Sequence, residues 1–127
     1  MAKEQVRTEG AATPRGAYSQ GIVANGFLFT AGFGPIDPVT GEVVGTTVEE
    51  QTAQVMRNIQ AVLAERGLDF SDVVKTTVHL ASGDAAWDAF NRAYESFVTP
   101  PYPVRTTVGS SLADILVEID AVAALRD

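Results

Sequence analysis

The middle of the chain sets the outline of the fold, because the period of its apolar residues changes there. Val48, Thr52, Val55, Ile59, Val62 and Leu63 recur at spacings of three and four, which is one face of an α-helix. Glu49, Glu50, Gln54, Arg57, Gln60 and Glu65 fall elsewhere. Thr46 or Thr47 supplies an N-cap, followed by acidic residues in the first turn. Arg66 and Gly67 close the helix, a cation against the dipole and then a left-handed terminator. Before and after this helix the pattern is that of strands.

Gly21-Ile22-Val23-Ala24 and Phe27-Leu28-Phe29-Thr30-Ala31 flank Asn25-Gly26, a pair suited to a type I′ turn because both central residues need positive φ. Val73–Leu80 reads as a β-branched strand. Ser82, Gly83 and Asp84 read as a turn and cap. Trp87, Phe90, Tyr94 and Phe97, with Ala86 and Ala93, then form a second helix whose aromatic stripe is expected in the core. Pro100, Pro101 and Pro103 end it. Strands follow at Val104–Val108 and Ile115–Ala124, and a weaker one is expected around Gln5–Thr8. No linker or repeat divides residues 1–127, so one domain is expected. The order β-β-β-α-β-α-β-β predicts an α+β, two-layer sandwich with both helices on one sheet face.

The last strand carries a second message. Ile115, Val117, Ile119, Ala121 and Ala123 form one apolar face. Leu116, Glu118, Asp120, Val122 and Ala124 form the other, which is not a solvated face either. Two helices cover only one face of such a sheet, so an oligomer is expected.

Composition narrows the chemistry. The chain has no cysteine, one histidine (His79), nine basic and sixteen acidic residues, and a formal net charge of −7. A disulfide framework, a cysteine-based zinc site, an iron–sulfur cluster and a cysteine nucleophile are excluded. One histidine cannot build a histidine zinc site, and a Ser-His-Asp triad would have to run through it. An acidic domain is a poor partner for nucleic acid, whose affinity comes largely from phosphate neutralisation. The N-terminus has no apolar signal segment, and no stretch approaches the roughly 18 apolar residues of a membrane span. A cytoplasmic protein that binds no membrane is expected.

Arg105 and Glu118 are the informative pair. If Val104–Val108 and Ile115–Ala124 form a hairpin closed by Gly109–Asp114, Val108 lies opposite Ile115, Thr107 opposite Leu116 and Arg105 opposite Glu118. That register sets a guanidinium and a carboxylate side by side on the face without helices. The other reading is a cross-strand ion pair that only decorates the sheet. Gly16-Ala17-Tyr18-Ser19-Gln20-Gly21 is a turn displaying a phenol, a hydroxyl and an amide, or else an ordinary loop with a packed tyrosine. Gly32-Phe33-Gly34-Pro35 follows a strand but leads into no helix that would cradle a phosphate. His79 shares a polar strand face with Lys75 and Thr77, and reads as solvated or hydrogen-bonded rather than as a base.

Along nearly its whole length the chain resembles the RidA (YjgF) family of reactive imine and enamine deaminases. The resemblance rests on Gly16-Ala17-Tyr18-Ser19-Gln20-Gly21, Phe29-Thr30-Ala31-Gly32, Pro38-Val39-Thr40-Gly41-Glu42-Val43, Gln51-Thr52 with Asn58-Ile59, Val74-Lys75-Thr76-Thr77-Val78 and Phe90-Asn91-Arg92-Ala93-Tyr94. It ends with Pro103-Val104-Arg105-Thr106-Thr107-Val108 and the block Leu116–Ala123. It implies a chorismate-mutase-like fold with a mixed sheet, a homotrimer with active sites between subunits, and cofactor-independent hydrolysis of 2-aminoacrylate-type enamines and 2-imino acids to 2-oxo acids and ammonia, with no metal.

By the same resemblance Arg105 binds the substrate carboxylate, Glu118 attends a water, and Tyr18 and Asn91 stand at the site. Ala31, Gly32, Phe33 and Thr107 fall on further substrate-contacting positions. The chain departs from the family where Ala31-Gly32-Phe33 replaces Ser-Gly-Gln, where Thr107 replaces a cysteine, and where Ser111-Leu112 replaces Leu-Pro. At Ala31-Gly32-Phe33 a polar contact is lost and a large ring gained. Two other readings remain open: a non-catalytic member holding a small carboxylate ligand or a partner through Arg105, and the endoribonuclease or translation-inhibitor activity attributed to some relatives, which the acidic charge opposes.

Overall fold

The computed structural model describes residues 2–81 and 85–126. Its elements run β1 (Glu4–Val6), β2 (Gly21–Ala24), β3 (Phe27–Thr30), α1 (Val48–Ala64), a short 3₁₀ turn (Phe70–Asp72), β4 (Val73–Leu80), α2 (Ala85–Glu95), β5 (Val104–Gly109) and β6 (Val117–Ala124). The turn expected at Ser82, Gly83 and Asp84 lies outside the described residues. The six strands form one mixed sheet in the order β1-β2-β3-β6-β4-β5, and all pairs are antiparallel except β4 with β5. Both helices pack on one face, as the apolar periods require.

Local chemistry explains several of the boundaries. Asn25 and Gly26 have φ of 52° and 85°, the left-handed pair a two-residue hairpin needs. At α1, Thr47 is the N-cap, its side chain accepting from the Glu50 amide while the Glu50 carboxylate accepts from the Thr47 amide, a reciprocal cap for two otherwise unpaired donors. Beyond its end Gly67 has φ of 69°, so the Leu68 amide reaches back to the Leu63 carbonyl at 3.1 Å. β1 stops earlier than expected because the Gln20 amide takes over Thr8, accepting from its N–H at 2.7 Å and donating to its carbonyl at 3.0 Å. A register shift between Val73 and Lys75 lets β4 bury Val73 and then Thr76, Val78 and Leu80 on the same face.

Val55, Met56, Ile59, Val62 and Leu63 of α1, Phe90 of α2, Leu28 of β3, Val78 of β4 and Val117, Ile119 and Ala123 of β6 are wholly buried. Burying such side chains stabilises by about 1.5–3 kcal/mol each. The opposite sheet face carries Phe27, Phe29, Val104 and Val108, all exposed, with Lys75, Thr77, His79, Glu118 and Asp120. Among the described residues no helix is long and apolar enough to cross a membrane.

The structure corrects one expectation central to the site. β5 and β6 do not form a hairpin, because β4 lies between them. Leu80 pairs with Gly109 on one side and with Val117 on the other. The connection between β5 and β6 therefore has to cross the end of β4, about two inter-strand spacings of roughly 4.8 Å. Arg105 pairs with Thr76 and Glu118 with His79. The two are not neighbours.

Candidate functional site

Arg105 and Glu118 stand on opposite faces of the sheet. Thr76, the register partner of Arg105, is buried against α2, so Arg105 projects towards the helices rather than onto the open face. Glu118 alternates with the buried Val117 and Ile119 and lies on the open side. Each residue lines its own cleft.

The first cleft, of about 300 Å³, is lined by Asn91, Tyr94, Glu95, Val98, Tyr102, Pro103 and Arg105. The Arg105 guanidinium carbon sits 5.4, 5.3 and 5.1 Å from the ring centres of Trp87, Phe90 and Tyr94, within the range where a ring quadrupole attracts a cation. Among the described residues no carboxylate pairs with Arg105 and no acceptor takes its N–H groups. The Tyr94 hydroxyl shares a 2.8 Å hydrogen bond with Thr76 Oγ1. Burial pushes the Tyr94 phenol above its ordinary pKa, against the opposing pull of Thr76 and Arg105. The Thr107 hydroxyl, two residues along β5 from Arg105, is buried without a hydrogen-bond partner among the described residues.

The second cleft, of about 430 Å³, brings together Tyr18, Gly32, Phe33, Glu118 and the segment from Ser111 to Ile115. Glu118 rests against the backbone of Gly32: a Cβ there would stand 3.0 Å from Glu118 Oε2 and 3.1 Å from its carboxyl carbon. Glycine at this position leaves room for the carboxylate where it stands, and no left-handed backbone torsion calls for it. The exposed Tyr18 accepts the Arg15 amide at 3.1 Å, and Arg15 in turn donates to the Gly41 carbonyl. Ala31 lines a separate depression of about 360 Å³ beside Tyr18 rather than the cleft with Glu118. On the open face near Glu118, His79 Nδ1 and Ser110 Oγ are 2.6 Å apart. Burial raises the Asp120 carboxyl above its ordinary pKa, while His79 and Lys75 pull the other way.

Thus one chain brings Glu118, Tyr18, Gly32 and Phe33 together, brings Arg105 and Asn91 together, and keeps the two sets apart. Asn58 and Gln51 of α1, which the sequence offers only as part of the family resemblance and without a role, position the second cleft. Asn58, wholly buried, donates to the Gly34 and Ile36 carbonyls at 3.2 and 3.0 Å and accepts the Ala12 amide at 3.3 Å. Gln51 donates to the Gly45 carbonyl at 3.1 Å and accepts the Leu116 amide at 2.8 Å. Polar side chains on the buried stripe of a helix are the signal, since such groups are retained with partners. Trp87, expected in the core, is 45% exposed. Helical spacing places it on the right stripe but does not say how far the sheet extends beneath it. Among the described residues no three His, Asp or Glu side chains gather as metal ligands.

The family model described as Endoribonuclease L-PSP matches residues 8–125. A RutC family protein of Pyrococcus abyssi is 44% identical over 126 residues, 97% of this chain and 98% of that protein. The chloroplastic Reactive Intermediate Deaminase A of Arabidopsis thaliana is 39% identical over 97% of this chain and 66% of its own length. The crystal structure of Escherichia coli TdcF with bound serine superposes with a TM-score of 0.89 at 28% identity, covering 97% of this chain and 99% of that one.

Proposed function

The chain belongs to the RidA (YjgF) family, and from that premise we propose that it is a hydrolytic deaminase of 2-imino acids and their enamine tautomers. It acts without a cofactor, as a homotrimer whose active sites lie between subunits. The observation that carries the reading is the pair of half-sites: a guanidinium and a carboxylate, each at a cleft and neither paired within the described chain. The exposed Phe27, Phe29, Val104 and Val108 supply an apolar face for a second copy. Binding of serine by TdcF and the deaminase name of the Arabidopsis relative support a small carboxylate substrate.

The chemistry asks little of the protein. One iminium carboxylate and one water give one 2-oxo acid and one ammonium ion. Arg105 holds the carboxylate through two parallel charge-assisted bonds. The imine carbon is already electrophilic, so a positioned water suffices in place of a strong nucleophile. Glu118 accepts a proton as that water attacks and returns it to the nitrogen, which leaves as ammonia while the carbonyl forms. Tyr18, Asn91 and the backbone at Gly32 orient the substrate.

The test is hydrolysis of 2-iminobutyrate generated in place. The wild type accelerates 2-oxobutyrate formation over buffer, and Arg105→Ala or Glu118→Gln lowers kcat/KM about 100-fold or more. Shared sites add a sharper expectation. Unfolding and reassembling an equal mixture of the two variants restores about one site in four, because a neighbour supplies what each lacks. No acceleration by the wild type refutes the deaminase reading; no recovery in the mixture refutes shared sites.

A further inference from the structure

The core accounts for only part of the aromatic stripe on α2. Phe90 is wholly buried and Tyr94 nearly so. Their ring centres are 5.3 Å apart, and the Tyr94 hydroxyl is anchored on Thr76. Trp87 begins the same stripe but is 45% exposed and lies outside the core cluster. Core packing alone calls for no indole there. What the three rings share is Arg105, whose guanidinium carbon is 5.1 to 5.4 Å from each ring centre.

We propose that Trp87 is a positioning residue for carboxylate recognition, forming the outer wall of an aromatic sleeve that holds the Arg105 guanidinium in place with its N–H donors free. For the identity of the carboxylate this rests on the deaminase reading. The alternative way to fix an arginine is an acidic partner, which would occupy the same N–H groups that a substrate carboxylate needs. A ring face attracts the cation through its quadrupole and takes no strong donor. It also keeps water from the flat side of the guanidinium, and a charge-assisted bond formed at its edge is stronger for that. This matters in a chain of net charge −7, whose overall field repels an anion. Phe90 and Tyr94 are committed to the core, so Trp87 is the ring that can be removed with the least effect on folding.

Trp87 is the only tryptophan in the chain, so its emission reports on the site without any turnover. Titrating the full-length protein with 2-oxobutyrate changes the emission saturably, and Arg105→Ala abolishes the change. By calorimetry Trp87→Leu binds 2-oxobutyrate about five-fold more weakly, while Trp87→Phe, which keeps a ring face, recovers most of the loss. In the imine assay Trp87→Leu raises KM by a similar factor and moves kcat by less than about two-fold.

Equal binding by wild type and Trp87→Leu overturns the proposal, as does a loss that Trp87→Phe fails to recover. Circular dichroism checks that Trp87→Leu is folded; if it is not, Trp87→Phe and Trp87→Met are compared, and equal binding by those two overturns the proposal. The outcome is separable from that of the deaminase reading. Ring-dependent binding of 2-oxobutyrate without imine hydrolysis leaves the sleeve and removes the deaminase. Hydrolysis indifferent to Trp87 does the reverse.

Discussion

Replacing Gly32 by alanine separates the placement of Glu118 from the stability of the fold. The backbone of Gly32 is not in the left-handed region, and the nearest atoms to an added Cβ are Glu118 Oε2 at 3.0 Å, its Cδ at 3.1 Å and its Cγ at 3.4 Å. Ordinary contact begins near 3.4–3.5 Å, so the carboxylate must retreat by about 0.4 Å. A misplacement of about 1 Å costs on the order of 100-fold in a positioned reaction, and on a logarithmic scale 0.4 Å corresponds to about six-fold. The folding balance is nearly neutral. The clash is relieved by a side chain that lines a cleft, and an alanine restricts the unfolded chain by about 0.4–1 kcal/mol in favour of the folded state. Gly32→Ala is therefore expected to lower kcat/KM for 2-iminobutyrate about six-fold while unfolding in urea within about 1 kcal/mol of the wild type. Full activity in a folded Gly32→Ala protein would show that the position of the Glu118 carboxylate does not govern the reaction.

Three further outcomes follow from named contacts. Arg105→Lys keeps the charge but loses the planar fork, and raises KM about ten-fold with a smaller effect on kcat, read from initial rates. Asn58→Ala leaves the Gly34 and Ile36 carbonyls and the Ala12 amide without their side-chain partner; it costs about 1–3 kcal/mol in denaturant unfolding and lowers activity through the displaced wall of the Glu118 cleft. Asp120 has its pKa raised in the folded protein, so the folded state binds more protons than the unfolded one between the ordinary carboxylate value and the raised one, and stability falls as pH rises through that window. Asp120→Asn removes that part of the decline, measured as denaturant midpoints from pH 3 to pH 7; an unchanged slope would rule out burial of this carboxyl as the cause.

Much of the scaffold was legible because it is set by short-range physics. The period of α1, the reciprocal cap of Thr47 and Glu50, the left-handed Asn25-Gly26 turn and the alternation that buries one face of β6 each depend on residues within a turn or two of one another. The buried amides were harder to read. Gln51 and Asn58 sit on the inward stripe of α1, yet their partners are loop carbonyls and amides far along the chain, and nothing local says which ones they meet. Trp87 failed for a related reason: helical spacing assigns a side, but exposure depends on where the neighbouring sheet ends.

The sequence by itself determined which residues are present for the chemistry. It excluded thiols and multi-histidine metal sites, and through its resemblance to a family it singled out Arg105 and Glu118. Only the tertiary structure decided how they relate. A hairpin between neighbouring strands is the economical inference from chain order, but β5 pairs in parallel with β4 across α2, and β6 then takes the other side of β4. Inserting one strand turns a supposed cross-strand pair into two half-sites on opposite faces. Strand order is settled by burial of whole faces, a long-range balance of apolar area that no local register can express.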